Sequence, residues 1–373
     1  MKGLYLHIPF CAQKCAYCNF VITLQGSKEA RKRYFAALRE EIRCAAEIHG
    51  RLSFSTFYLG GGTPSLLSAE EIHDLADLIF RHFDLEPGFE WTCEFNPGDV
   101  QPEKMKALQE LGINRVSLGA QAFQDRLLIA MGRRHTVKDT EATVEMIRAA
   151  GIQNISLDLI SGLPDQSLKD FRESLERTAV LEPSQVSLYD LELHESTPWG
   201  IEFKKGKIKP AHEDLRAEMF QAAMDVLSKA GYAQYEISTF AKPGMESRHN
   251  LIYWNNGEYL GLGPGAFTYL KGVRSQFSLD VPQYLRQCEA GDWKPAVSDV
   301  LTDEEKETET LVTGLRLSRG IDLERFQVIR ERLEARLQLL QEGKLVERTG
   351  NRIALTPRGR FLAERAFSLL IGK

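Results

Sequence analysis

No apolar run in the 373 residues approaches the roughly 18 that a helix needs to cross a bilayer, so no membrane span is expected. The first ten residues include Lys2 but no apolar stretch of the kind that drives secretion. An intracellular, cytoplasmic protein is expected, in a compartment where disulfides are rare. Cysteine is scarce, with six in all. There is no G-x4-G-K-[ST] string, so a P-loop is not expected. Nor is there a basic excess: 47 Lys and Arg stand against 52 Asp and Glu, for a formal net charge of −5. That balance argues against nucleic acid as a partner.

Half of the cysteines cluster. Cys11, Cys15 and Cys18 lie in H-I-P-F-C-A-Q-K-C-A-Y-C-N-F with C-x3-C-x2-C spacing. Four thiolates close a structural zinc or iron–sulfur site, whereas three leave one metal position open. A chain of this length does not need a metal staple to fold. Spacing alone leaves two readings: structural zinc with His7 as fourth ligand, or a centre with an open position. Cys44 and Cys93 sit in apolar-patterned segments and read as core.

Strand and helix periods alternate from residue 1 to about 240. Strands are expected at Leu4–His7, Ser55–Leu59, Glu90–Glu94, Arg115–Leu118, Asn154–Ile160, Gln185–Leu191 and Gln234–Ser238. Helices are expected at Ala30–Ile48, from Ser68 onward, and at Pro102–Leu111, Val137–Ala150, Leu168–Val180 and His212–Ala230. Ser68 with Glu71 three residues on reads as a capping box, and Gly151 as a helix stop. This alternation predicts an α/β fold, a parallel sheet wrapped by helices, either a partial or a full (β/α) barrel. Sites in such barrels form at the carboxyl ends of the strands. Several unusual residues fall there. Gly60-Gly61-Gly62-Thr63-Pro64 lets a backbone approach a ligand closely, or is a plain turn. Glu94 ends its strand in T-C-E-F-N-P-G. Asp158 interrupts I-S-L-D-L-I, where a buried carboxylate needs a partner.

Taken together, these strings resemble the radical S-adenosylmethionine (SAM) superfamily. The resemblance implies a [4Fe–4S] cluster held through three irons by Cys11, Cys15 and Cys18. SAM would chelate the fourth iron and be cleaved by an electron from the cluster. It further implies SAM-binding roles for Tyr5, Tyr17, Gly61, Gly62, Thr63, Glu94, Gln121, Arg133 and Asp158, with Arg134 competing with Arg133. H-I-P-F-C, G-G-G-T-P, E-x-N-P, S-L-G-x-Q, D-L-I-x-G-L-P and S-L-Y-x-L narrow the resemblance to the oxygen-independent coproporphyrinogen III oxidase family, over essentially the whole chain. Two departures separate this chain from the oxidases themselves. Phe20 stands where they carry a further cysteine, and only ten residues precede Cys11 where they carry a long extension. Both departures resemble the HemW branch, regarded as haem chaperones, as does the string His249-Asn250-Leu251-Ile252-Tyr253-Trp254. That branch implies bound haem, His249 as its ligand, and a haem-accepting protein as partner. The alternative is the oxidase itself, a radical decarboxylase of a porphyrinogen. Imidazole is a common haem ligand, but a loop histidine is as readily a hydrogen-bonding residue. His194 is a second candidate.

Three units are expected: a radical SAM core over 1–240, a connecting region with H-N-x-x-Y-W over 241–300, and a winged-helix-like module over 301–373. In the last, helices are expected over Asp303–Leu317, from Leu323, over Glu331–Leu340 and after Pro357. Lys344–Glu347 and Arg352–Leu355 flank Thr349-Gly350-Asn351 as a hairpin. From residue 311 on, 13 Lys and Arg stand against 7 Asp and Glu. The module reads as a small docking unit, since fold alone does not fix function.

Overall fold

The computed structural model describes residues 1–24 and 28–372; Lys373, the last residue of the expected C-terminal module, lies outside them. Among the described residues one sheet of twelve strands dominates. Its strands are β1 (Gly3–Ile8), β2 (Ser53–Gly61), β3 (Asp84–Phe95), β4 (Arg115–Gln121), β5 (Asn154–Ser161), β6 (Gln185–Asp190), β7 (Ala233–Glu236), β8 (Thr239–Ala241), β9 (Tyr259–Leu262), β10 (Phe267–Leu270), β11 (Val273–Gln276) and β12 (Val297–Val300). Their spatial order is β12-β11-β10-β9-β1-β2-β3-β4-β5-β6-β8-β7. From β9 to β6 every neighbouring pair is parallel. The edge strands do not pair with each other, so of the two barrel expectations the structure takes the partial one.

The strands alternate cleanly. Leu4, Leu6, Phe57, Leu59, Val116, Leu118, Ile155, Leu157 and Val186 join one apolar core with the helices outside the sheet. The residues between them are polar and bond to one another inside the barrel. Tyr58 donates to Glu94, Arg115 to Asn154 and Gln185, and Ser117 to Asp158. Parallel strands usually read as continuous apolar runs because both faces meet apolar layers; here one face lines a polar interior. The outer helices start where local chemistry says they should. Ser68, Thr136 and Ser167 each form a reciprocal capping box that satisfies amide groups left open at a helix start.

The sheet does not stop at residue 240. The stretch 241–300 adds β9 directly beside β1 and continues antiparallel to β12, so it extends the core sheet. The strand expected over Gln234–Ser238 is two short strands, β7 and β8, with a register shift between Thr239 and Phe240. Beyond residue 300 a second apolar cluster forms, from Leu311 to Leu370. It joins helices Asp303–Gly314, Arg330–Glu342 and Ala363–Ile371 to a small sheet of β13 (Ile321–Asp322), β14 (Val346–Thr349) and β15 (Arg352–Leu355). The helix expected from Leu323 is a single 3₁₀ turn. This module docks beside β7, at the edge of the main sheet, and against the helix Arg248–Trp254. Ile237 donates its amide to the Arg316 carbonyl at 3.0 Å, and Ser318 donates to the Tyr235 carbonyl at 2.9 Å. The Arg316 guanidinium lies 4.4 Å from the centre of the Trp254 ring.

Candidate cofactor cleft

At the carboxyl ends of β2 to β6 the barrel opens into a cleft of about 500 Å³. Cys11, Cys15 and Cys18 all line it, as do Tyr17, Gly61, Gly62, Thr63, Glu94, Gln121, Arg133, Arg134 and Asp158. Residues up to 147 positions apart in sequence therefore converge because each ends a strand or follows one.

The glycine triplet is more than a turn. Gly61 has φ +109°, and a Cβ there would lie 2.4 Å from the His7 ring. A Cβ on Gly62 would lie 2.7 Å from the Phe10 carbonyl oxygen and 2.8 Å from that of Ile8. Only glycine lets β2 run this close to the strand that leads into the cysteine loop. The same backbone holds Glu94: the Gly61 amide donates to one carboxylate oxygen at 3.0 Å, and the Tyr58 hydroxyl donates to the other at 2.8 Å. Burial outweighs these bonds, with Asp158 adding to it, and pushes the Glu94 carboxyl up to about 7. Asp158 accepts from the Ser117 hydroxyl at 3.0 Å and is pushed up to about 6, again mainly by burial. Two buried carboxyls, both held above the usual carboxylate range, suit a cationic ligand, which favours their charged form.

Arg133 links the cysteine loop to the strand ends. Its guanidinium lies 3.7 Å from the Cys15 sulfur, 2.6 Å from Asn96 Oδ1 and 2.8 Å from the Gly119 carbonyl. Asn96 in turn donates to Thr63 Oγ1, 3.1 Å away, and that hydroxyl lies 3.5 Å from the Cys11 sulfur. Gln121 adopts φ +64°, unusual for a side-chain-bearing residue, where the pairing of β4 and β5 slips. Backbone outliers of this kind cluster at functional sites. Asn96, from the E-x-N-P string, and Ser117, from S-L-G-x-Q, line the cleft as well. A single Asn or Ser near a strand end carries no signal of its own. His194 also lines the cleft, 3.5 Å from a Glu192 carboxylate oxygen.

Two expected residues lie elsewhere. Tyr5 sits inside the barrel and its hydroxyl meets His7 Nδ1 at 3.0 Å. His249 lies at the opposite, amino end of the barrel, buried under β1 and β2. Its Nδ1 meets Thr56 Oγ1 at 2.7 Å, its Nε2 meets the Tyr253 hydroxyl at 2.8 Å, and its ring packs 4.9 Å from that of Tyr58. Burial pushes this imidazole down to about 3, so it is neutral, with both nitrogens engaged. In this arrangement neither nitrogen is free to meet an iron.

The donor set of the cysteine loop fits an iron–sulfur cluster better than a single ion. His7, the fourth ligand of the zinc reading, has both nitrogens engaged, one with Tyr5 and the other with the Val21 carbonyl at 2.7 Å. Among the described residues, no three His, Cys, Asp or Glu side chains gather around one metal-ion position. The three thiols are free and share one cleft wall. Burial pushes the Cys11 thiol up to about 11, a cost that is relieved when a metal centre takes the place of the proton.

Comparison with known proteins gives matching results. The model of the radical SAM superfamily matches residues 5–178, and that of the HemN C-terminal domain matches residues 301–362. The chain is 35% identical over 381 residues to the heme chaperone HemW of Bacillus subtilis, covering 100% of both chains. It is 38% identical over 326 residues to the heme chaperone HemW of Lactococcus lactis, covering 87% of this chain and 84% of that one. Among solved structures, coproporphyrinogen III oxidase (HemN) from Escherichia coli superposes with a TM-score of 0.85 at 23% identity, over 99% of this chain and 89% of that one. That likeness speaks for the fold alone.

Proposed function

This chain belongs to the radical SAM superfamily and, within it, to the HemW family, and from that premise we propose that it is a haem chaperone. It binds haem and passes it to an acceptor protein while carrying a [4Fe–4S] cluster and SAM. The observation that carries this reading is identity to heme chaperones across the full length, at 35% over 100% of both chains.

Cys11, Cys15 and Cys18 are the residues that would hold the cluster, with the Arg133 guanidinium 3.7 Å from the Cys15 sulfur. A cluster held by three thiolates supplies an electron and an open iron position. The chain's own residues do the rest. The Gly61-Gly62 backbone and Glu94 offer acceptors and close approach to a cationic amino group. Asp158 and Gln121 offer polar partners to a sugar hydroxyl. Arg133 and Asn96 hold the cysteine loop against the strand ends.

The test is transfer. The protein, reconstituted anaerobically with iron and sulfide, is loaded with haem, freed of excess, and mixed with an apo-haemoprotein whose holo spectrum is distinct. Movement of the Soret band to the acceptor's position is expected, and an acceptor that stays apo counts against the proposal. In a parallel incubation with coproporphyrinogen III, SAM and reductant, no decarboxylated product is expected. Its formation would establish the oxidase reading instead.

A further inference from the structure

Beside the cofactor cleft lies a second cavity, of about 670 Å³. It is formed by the segment that trails the cysteine loop, the start of the helix Lys28–His49, and the helix Val281–Ala290. We infer that this groove is where the haem sits, an inference that rests on the haem-chaperone reading above and gives it a location.

Four observations carry it. First, the floor is apolar: Phe20, Ile22 and Leu285 line it. Phe20 is 67% exposed, and Leu24 just beyond is 55% exposed. Large exposed apolar side chains in a group mark a binding surface. Second, the rim is cationic. Lys14, Arg33 and Arg286 come from three separate segments and line the same groove. Arg33 bonds Glu289 at 2.6 Å, whereas Lys14 and Arg286 make no ion pair among the described residues. Among the described residues lining the groove the one carboxylate, Asp280, is engaged in capping its helix through the Gln283 amide at 2.7 Å. A flat apolar body with two carboxylates on one edge is the ligand that this pattern complements, since cations pair with propionates and the floor receives the ring. Third, the groove adjoins the cofactor cleft: Phe20 and Ile22 line both. Fourth, the described residues lining the groove include no histidine, cysteine or methionine, and the hydroxyl of Tyr34, the one tyrosine among them, is engaged in donating to the His7 carbonyl at 2.5 Å. The groove therefore grips the macrocycle and its propionates and leaves the iron without an axial ligand of its own, an arrangement suited to cargo that is to be given up to an acceptor that supplies one.

The test compares porphyrins on the full-length reconstituted protein, followed by absorbance and fluorescence titration. Haem and iron-free protoporphyrin IX are expected to bind within a few-fold of each other. Haem dimethyl ester, with its propionate charges removed, is expected to bind about tenfold more weakly, because the charged pairs at the rim are lost. The double substitution Arg33→Glu, Arg286→Glu is expected to weaken haem binding by about tenfold as well, with the cluster spectrum and calorimetric SAM affinity unchanged as proof of an intact fold. If the wild type binds haem but neither the ester nor the double substitution matters, the groove is wrong and the chaperone reading stands. Haem binding with none for protoporphyrin IX overturns the groove too, since the iron would then be the anchor. A wild type that binds no porphyrin overturns both readings. Should the double variant misfold, the ester comparison on the wild type still decides.

Discussion

The two ends of the barrel contain similar side chains in opposite conditions. At the amino end, Glu90 accepts the amides of Arg248 and His249 at 3.1 and 3.0 Å. Arg115 lies 3.8 Å from Glu90 and donates to Asn154, Gln185 and the Met245 carbonyl. Gln185 also receives the Ser247 amide. The start of H-N-x-x-Y-W thus plugs the barrel floor, and Glu90, Arg115 and His249 all end on protein partners. At the carboxyl end, Glu94, Asp158, Arg133 and the thiols line an open cleft and keep bonding capacity to spare. A polar residue inside a barrel is structural where the protein completes its bonds and functional where a ligand must complete them. The same motif string that points to haem by family likeness is, in this fold, part of the closed end.

This contrast can be broken most severely at the thiols. Replacing any one of Cys11, Cys15 or Cys18 with Ala is expected to abolish the cluster, read as loss of bound iron, sulfide and visible absorption; a single variant that retains full iron would contradict the assignment. Next in size is the floor. Glu90→Ala leaves Arg115 buried without its carboxylate and two helix amides unpaired, and is expected to cost about 3–5 kcal/mol of stability, checked by denaturant unfolding. A loss below about 1 kcal/mol would mean the floor is not held in this way.

At the open end, Glu94→Gln is expected to weaken SAM binding by about 1.5–3 kcal/mol, the range for a hydrogen bond to a charged group, while the cluster and unfolding midpoint hold. The pH dependence follows from the same residue. Because burial holds the Glu94 carboxyl up to about 7, it is mostly neutral at pH 6 and mostly ionised at pH 8. A cationic ligand prefers the ionised form, so SAM affinity is expected to rise about tenfold over that interval and to flatten in Glu94→Gln. Affinity that falls with rising pH would reverse the sign of the argument.

Much of the open end was legible in the residues. The cysteine spacing, the glycine triplet, Glu94 at a strand end and Asp158 inside an apolar run each break a local rule, and the three cysteines, Gly61, Gly62, Glu94 and Asp158 line the cleft. Residues that break local rules in this way tend to be functional. The floor was not legible, because its contacts are long-range: Arg115 and Met245 are 130 positions apart, and nothing in either neighbourhood announces the other. Asn96 and Ser117 carry no signal of their own because Asn and Ser are ordinary near strand ends. The short strands β9 to β12, four residues each, are too brief to show a period. The polar alternation inside the barrel is present in the sequence as Ser156 and Asp158 spaced by two, but only the charged residue stands out there, because a serine in a strand is ordinary.

The account stands or falls on ligand binding belonging to the open end alone. Calorimetric SAM affinity, measured side by side on cluster-loaded wild type, Glu94→Ala and His249→Ala, tests this directly. His249→Ala removes a buried ring and two hydrogen bonds and is expected to lower stability by about 2 kcal/mol but to leave SAM affinity at the wild-type value, whereas Glu94→Ala weakens it at least about tenfold. An affinity that drops with His249 and survives the loss of Glu94 would contradict the account.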